Sequence, residues 1–237
     1  MDLGLKDRVA IVAAASAGLG KAVAERLAAE GARVAICSRS GKSVPGVEVA
    51  QAVDVTNETQ VKQFVHSVFK TYGRVDVCVT NAGGPPSKPF ADTSVDDWRS
   101  AIDLNFMSTL YFAREVLPLM KEQRWGRLIT ITSVAVLQPI NNLILSNAVR
   151  SSVRGLVKSL SNEYGPYNVL VNNVCPGFTA TERLKEFRGQ IPLDQVPLGR
   201  LATPEEFANV VVFLASERAS YITGSSIAID GGLVKGA

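Results

Sequence analysis

Short, apolar, β-rich runs alternate with stretches of helical periodicity along this 237-residue chain, and that alternation restricts its fold more than any other feature. The runs fall at Val9–Ala14, Arg33–Ser38, Val49–Asp54, Val75–Asn81, Gly126–Ser133, Val169–Val174 and Ser226–Asp230. They are continuously apolar rather than alternating, as strands covered on both faces must be. Between them the spacing predicts helices, among them Leu19–Glu30, which ends at Gly31, and Ser146–Tyr164, with Val149, Val153, Leu156, Val157 and Leu160 on one stripe. The expected fold is therefore α/β: a doubly wound parallel sheet of about seven strands with helices on both faces. A chain of 237 residues suffices for one well-buried domain, and no linker or repeat divides 1–237. One crossover should lack a helix, because Gly41, Pro45 and Gly46 interrupt "RSGKSVPGVE". In such open sheets the ligand lies beyond the carboxyl ends of the strands, where strand order reverses.

Composition removes several functions. The 25 basic and 22 acidic residues are spread along the chain without a basic stripe, so no nucleic-acid partner is expected and a small molecule is. No apolar run approaches the ~18 residues of a membrane span. The start, "MDLGLKD", lacks the basic-then-apolar order of a signal peptide, so a cytoplasmic location is expected. Cys37, Cys78 and Cys175 are far apart in apolar stretches and read as reduced, buried thiols. His66 is the sole histidine, on a polar helical stretch from Glu58 to Tyr72; it reads as a surface residue, and no metal site is expected.

The stretch "VAAASAGLGKAVA" carries a strand through a glycine-rich turn into a helix. Backbone N–H groups and the positive helix end then face the crevice, which suits a pyrophosphate. Ala14, Ser16, Gly18, Leu19 and Gly20 are the candidate residues. Glycine is needed where a Cβ would block the phosphates or φ must be positive; Gly18 and Gly20 meet that need and Ala14 does not. Taken alone, the stretch also fits a tight turn with no ligand.

Further on come "VTNAGG", "LNFMS", "GRLITITS", "NNVCPGFTAT" and "YITGSSIAIDGG", in that order. With them the chain resembles the short-chain dehydrogenase/reductase family over nearly its whole length, most of all its 3-oxoacyl-carrier-protein reductases. The resemblance implies a Rossmann-type domain and a nicotinamide dinucleotide. It places Asn81, Ala82 and Gly83 on the adenosine side, Asp54 and Val55 at the adenine, and Pro176, Gly177, Thr179 and Thr181 at the nicotinamide end. It implies a homotetramer or homodimer, with the ending Asp230-Gly231-Gly232 resembling the family's C-terminus. Cofactor choice follows from the end of the second strand. An acidic residue there would select NAD(H), whereas this chain offers Ser38 and Arg39, and a guanidinium fits a 2′-phosphate, so NADP(H) is expected.

The family's proton machinery is a serine, a tyrosine about thirteen positions on, a lysine four beyond it, and an asparagine on the preceding helix. Asn105 and Ser133 match, but counting 13 from Ser133 reaches Ser146, and four more reaches Arg150. An aliphatic hydroxyl is a poor proton donor, and arginine stays protonated at any working pH. Tyr111, Tyr164 and Tyr167 are not natural replacements by position. Three readings stay open: an NADP(H)-dependent oxidoreductase with an altered proton route; a lyase or isomerase in which Asn105, Ser133, Ser146 and Asn147 hold a carbonyl or enolate and Arg150 grips an anion; and a cofactor-binding protein without turnover. Arg150 would serve both as site residue and as ribose anchor. The segment 178–196, where the family keeps its lid, mixes Phe178, Leu184, Phe187 and Ile191 with Arg183, Lys185 and Arg188. These suit a small acyl or carboxylated carbonyl substrate, and the charges equally suit the solvated face of a lid helix.

Overall fold

The computed structural model describes residues 2–182, 184 and 192–236. Seven parallel strands form one sheet: β1 (Val9–Ala13), β2 (Arg33–Ser38), β3 (Val49–Ala52), β4 (Val77–Thr80), β5 (Gly126–Ile131), β6 (Val169–Pro176) and β7 (Ser226–Ile229), in the order β3-β2-β1-β4-β5-β6-β7. The helices are α1 (Gly18–Ala29), α2 (Glu58–Tyr72), α3 (Val95–Ile102), α4 (Ser108–Gln123), α5 (Ile144–Tyr164) and α6 (Pro204–Ala215). Every expected strand is present, most of them ending a residue or two earlier than the apolar runs do. The terminal polar residues, among them Asp54, Asn81 and Ser133, thus stand just past the strand ends, at the crevice. No helix lies between β2 and β3; Gly41 and Gly46 take positive φ there, as the sequence leads one to expect.

Side-chain alternation along β1 divides the core in two. Ala10 and Val12 pack with Val23 and Leu27 of α1 and Phe207 and Val211 of α6 on one face. Val9, Ile11 and Ala13 pack with Phe64 of α2, Phe112 and Val116 of α4 and Val153 of α5 on the other. Strand order reverses between β1 and β4, which pair as Ile11↔Cys78, so the crevice opens where their carboxyl ends diverge. Two local signals set α2: the Asn57 side chain accepts from Gln60 N–H at the start, and Gly73, at φ 70°, ends it. Of the α5 stripe, Val149, Val153 and Val157 are buried and Leu156 and Leu160 half-buried. Between α3 and α4 the helix widens into a π turn over Asp103–Met107, which contains Asn105.

The three cysteines are buried and free, and burial pushes the Cys37 thiol up to about 12. His66 is exposed and pairs with Glu115 at 3.0 Å. Among the described residues no helix is long and apolar enough to cross a membrane, and no cluster of His, Cys, Asp or Glu could hold a metal ion.

Candidate active-site crevice

The turn from β1 into α1 forms one lip of the crevice. α1 begins at Gly18 after Ala17, no side chain caps it, and its first turn carries no acidic residue, so its leading N–H groups and positive dipole end remain for an anion. Gly18 has φ +57°, and across the crevice it faces Thr181, whose Cγ2 lies 3.7 Å from where a Cβ would sit. Gly20 tolerates no side chain at all: a Cβ would stand 2.7 Å from the Ala14 carbonyl oxygen and 2.9 Å from Asn81 Nδ2. That close approach is secured by Asn81, whose amide donates to Ala14 O at 3.3 Å and so ties the end of β4 to the turn. Ala14 itself has φ +49°, a conformation that L residues rarely adopt. Ser16 and Leu19 are half-buried on the same turn. An uncapped helix start over a glycine cradle is the arrangement that a pyrophosphate fits.

At the end of β2, Ser38 is buried; its hydroxyl accepts from Gly41 N–H at 3.1 Å and lies 3.2 Å from the Ser40 hydroxyl. Arg39 is exposed and has no ion pair within 4 Å among the described residues. Beyond β3 the Asp54 carboxylate accepts from the backbone N–H and the hydroxyl of Thr56, which hold its pKa below the usual range, with a smaller push from Arg39. Val55 beside it is buried.

The second lip comes from β5 and α5. Ser133 follows β5, and its hydroxyl accepts from Ala135 N–H at 3.1 Å. Ser146 and Arg150 lie one turn apart on α5, both only 7% exposed. The Ser146 hydroxyl makes no hydrogen bond with any described residue. Arg150 behaves quite differently. Its Nη1 donates to Ile131 O at 3.3 Å and Thr132 O at 3.1 Å, and its Nη2 donates to Gly83 O at 3.1 Å. The guanidinium therefore fastens the end of β5 to the segment that follows β4. Asn105 joins the same knot, its Nδ2 donating to Gly83 O at 2.8 Å, while its buried Oδ1 has no hydrogen-bond partner among the described residues. Asn147, a carbonyl-holding group in the non-redox reading, has its amide engaged at both ends by the Ile140 backbone, at 3.2 and 2.9 Å.

The two lips enclose a cavity of about 690 Å³. Of the expected residues it is lined by Leu19, Asn81, Ala82, Ser133, Ser146 and Arg150, and on the far side by Pro176, Gly177, Thr179 and Thr181. Asn105 is buried behind that surface, Gly83 is exposed and outside it, and Ala14, Ser16, Gly18, Gly20, Ser38, Arg39, Asp54 and Val55 lie along the strand ends outside it. Arg150 is the only ionisable side chain among the described residues of the lining. Tyr111, Tyr164 and Tyr167 pack instead against the core beneath α4 and α5. Of the lid residues, Phe178 and Leu184 line the cavity, while Arg183, Lys185, Phe187, Arg188 and Ile191 lie outside the described residues. Sequence reasoning missed a further part of the wall: Pro85, Ser87, the run Gln138–Leu143, and Leu233 and Val234. These sit in loops without periodicity, where no residue spacing marks a role.

A family model described as Enoyl-(Acyl carrier protein) reductase matches residues 13–234. The chain is 35% identical over 247 residues to the 3-oxoacyl-(acyl-carrier-protein) reductase FabG of Aquifex aeolicus, covering 98% of this chain and 100% of that one. Its backbone superposes with a TM-score of 0.91, at 30% identity and full coverage of both chains, on an L-sorbose reductase from Gluconobacter frateurii complexed with NADPH and L-sorbose. A 7α-hydroxysteroid dehydrogenase complexed with NADH and 7-oxo glycochenodeoxycholic acid superposes at 0.92 with 30% identity, over 99% of this chain and 97% of that one.

Proposed function

The chain belongs to the short-chain dehydrogenase/reductase family of oxidoreductases, and from that premise we propose that it reduces the carbonyl of a small molecule with NADP(H), by a proton route without the family's tyrosine and lysine. One observation carries this reading: Leu19, in the uncapped first turn of α1, lines the same crevice as the two hydroxyls of Ser133 and Ser146. In this reading 1–237 is one domain, with the dinucleotide along β1, β2 and β4 and the substrate between α5 and the 178–196 segment. Homo-oligomeric assembly and a cytoplasmic location go with it, as does the absence of a nucleic-acid partner.

When bound, the dinucleotide supplies the hydride; all else falls to the chain. Ala14, Ser16, Gly18 and Gly20 shape the pyrophosphate cradle, with Leu19 against its floor. Ser38 and Arg39 would hold the 2′-phosphate, the guanidinium supplying charged hydrogen bonds. Asp54, Val55, Asn81, Ala82 and Gly83 line the adenosine side, and Pro176, Gly177, Thr179 and Thr181 the nicotinamide end. The Ser133 and Ser146 hydroxyls would hold the carbonyl oxygen; one of them would give its proton to that oxygen as it becomes an alkoxide and recover a proton from solvent through a water that donates to Asn105 Oδ1. Arg150 keeps the strand ends in register rather than relaying protons, because its donors serve Gly83, Ile131 and Thr132. Without a general acid the rate falls by roughly 10²–10⁴, while orientation of the reactants still contributes on the order of 7–11 kcal/mol.

A second reading, cofactor binding without redox turnover, is favoured by one observation. The described lining offers no side chain that titrates near neutrality. NADPH consumption with β-keto esters, 3-oxoacyl thioesters, diketones and aldehydes separates the two, run on the native chain and on Ser146→Tyr/Arg150→Lys. Native turnover supports the reductase. Tight NADPH binding with turnover in the double variant alone assigns the second reading, and a native chain that does not bind NADPH overturns both.

A further inference from the structure

The Asp230-Gly231-Gly232 run is the one singled-out motif for which the proposed chemistry has no use, and the structure gives it a place. Gly231 and Gly232 have φ +65° and +87°, and a Cβ on either would meet Val196 Cγ1 or Pro197 Cγ at 2.9 Å. The two glycines thus let the chain turn back flush against 196–198, where Leu198 N–H donates to Gly231 O at 3.2 Å. The Asp230 carboxylate closes the turn by accepting from Gly232 N–H at 3.0 Å and Val234 N–H at 2.8 Å. The turn begins beside the expected nicotinamide segment, for a Cβ on Gly177 would lie 2.7 Å from Asp230 Cα.

Past the turn, Leu233 is buried and Val234 half-buried, and both line the crevice. They join a small apolar cluster separate from the two cores, with Val134 and Val136 after β5, Cys175 on β6, and Val196. The next residue locks the strap from both sides. Lys235 N–H donates to Gln138 Oε1 at 2.9 Å, and its ammonium donates to Gln195 O at 3.3 Å. The strap therefore spans from the loop after β5 to the turn at 193–195 and lines the same crevice as Ser133 and Ser146.

We propose that residues 230–235, latched by Gln138, form the specificity-determining wall of this crevice, with Leu233 and Val234 setting how bulky a group beside the carbonyl is admitted. The inference takes from the reductase reading only the identity of what fills the crevice. Apolar side chains clustered against a cavity reject an oversized substituent by steric cost, and trimming one such residue shifts discrimination by roughly ten- to a hundredfold.

The test uses Leu233→Ala and, because Gln138 is exposed and its loss should not endanger folding, Gln138→Ala. For each, kcat/KM is compared between ethyl acetoacetate and ethyl benzoylacetate, alongside NADPH affinity and amide exchange at 193–198 and 233–235. The expected result for Leu233→Ala is a shift of about tenfold toward the phenyl ester, carried by KM, with NADPH affinity unchanged. Gln138→Ala should speed exchange at Lys235 and Leu198. An unchanged ester ratio with NADPH binding intact, or unchanged exchange in Gln138→Ala, overturns the wall. Should the native chain turn over neither ester, the reductase reading is decided on the wider carbonyl panel, and the wall is judged on exchange and on the affinities of the two esters. A size filter that Leu233→Ala removes would uphold it, and its absence would overturn it.

Discussion

The two lips of the crevice are built from different material. The β1–α1 lip is backbone: uncapped N–H groups, a glycine with no room for a Cβ, and a carbonyl pinned by Asn81. The β5–α5 lip is side chain: two hydroxyls and a guanidinium turned inward onto three carbonyls, backed by the Asn105 amide from the π turn between α3 and α4. A backbone site allows little variation, since any added atom closes it, whereas side chains on an unchanged helix face can be exchanged without moving the helix. The difference teaches that binding and turnover are physically separable here, so substitutions on the two lips should fail in different ways.

The largest effect is expected at Gly20. A valine there would press its Cβ into Ala14 O and Asn81 Nδ2, at 2.7 and 2.9 Å. Overpacking of this kind costs about 3 kcal/mol. Gly20→Val should abolish NADPH binding in fluorescence titration, whereas Ser146→Ala on the opposite lip should leave that affinity intact. Comparable losses from both would erase the distinction between the lips.

Arg150→Met comes next. It leaves the carbonyls of Ile131 and Thr132 short of a donor in a buried place, while Gly83 O keeps the Asn105 amide; the cost is about 2 kcal/mol, which for a chain of this size lowers Tm by roughly 4–8 °C. Calorimetry of the apo protein reads this directly. A variant with native Tm but weakened cofactor binding would make Arg150 a ligand, not a fastener.

How far the sequence discloses these lips depends on what each is made of. Apolar runs fix which segments are strands, and Gly41, Pro45 and Gly46 disclose the helix-free crossover, because both depend on local residue chemistry. The spacing of Ser133, Ser146 and Arg150 shows a shared helix face. It does not show how far a side chain reaches, so the capture of Arg150 by backbone carbonyls is visible only in three dimensions. The π turn at Asp103–Met107 leaves no trace in residue type, since one shifted hydrogen bond creates it. Loop walls such as Gln138–Leu143 and Leu233–Val234 come together from distant parts of the chain without periodicity.

A smaller effect tests the cofactor lip alone. Arg39 is exposed at the end of β2, with its guanidinium available for a 2′-phosphate. Its replacement by alanine should weaken NADPH by about tenfold, ~1.4 kcal/mol, and leave NADH nearly unchanged, as the loss of one partly solvated charged contact would. Equal weakening of both dinucleotides would remove Arg39 from phosphate recognition.

The smallest effect comes from the one place where the backbone lip itself carries a residue ill suited to it. Ala14 is held at φ +49° by its surroundings: Asn81 grips its carbonyl, and the next residue's N–H donates to Cys37 O at 3.1 Å. An L residue in that region carries a strain of roughly 1–2 kcal/mol. Glycine would relieve it, but glycine also gains freedom in the unfolded chain, worth about 0.4–1 kcal/mol in the opposite direction. The balance favours Ala14→Gly by about 0.5 kcal/mol, a rise in Tm of roughly 1–2 °C. A fall in Tm would mean that the turn already relaxes around the alanine. A rise accompanied by tighter NADPH binding would mean that the alanine Cβ also crowds the pyrophosphate cradle, so that the backbone lip, like the side-chain lip, has departed from its best chemistry.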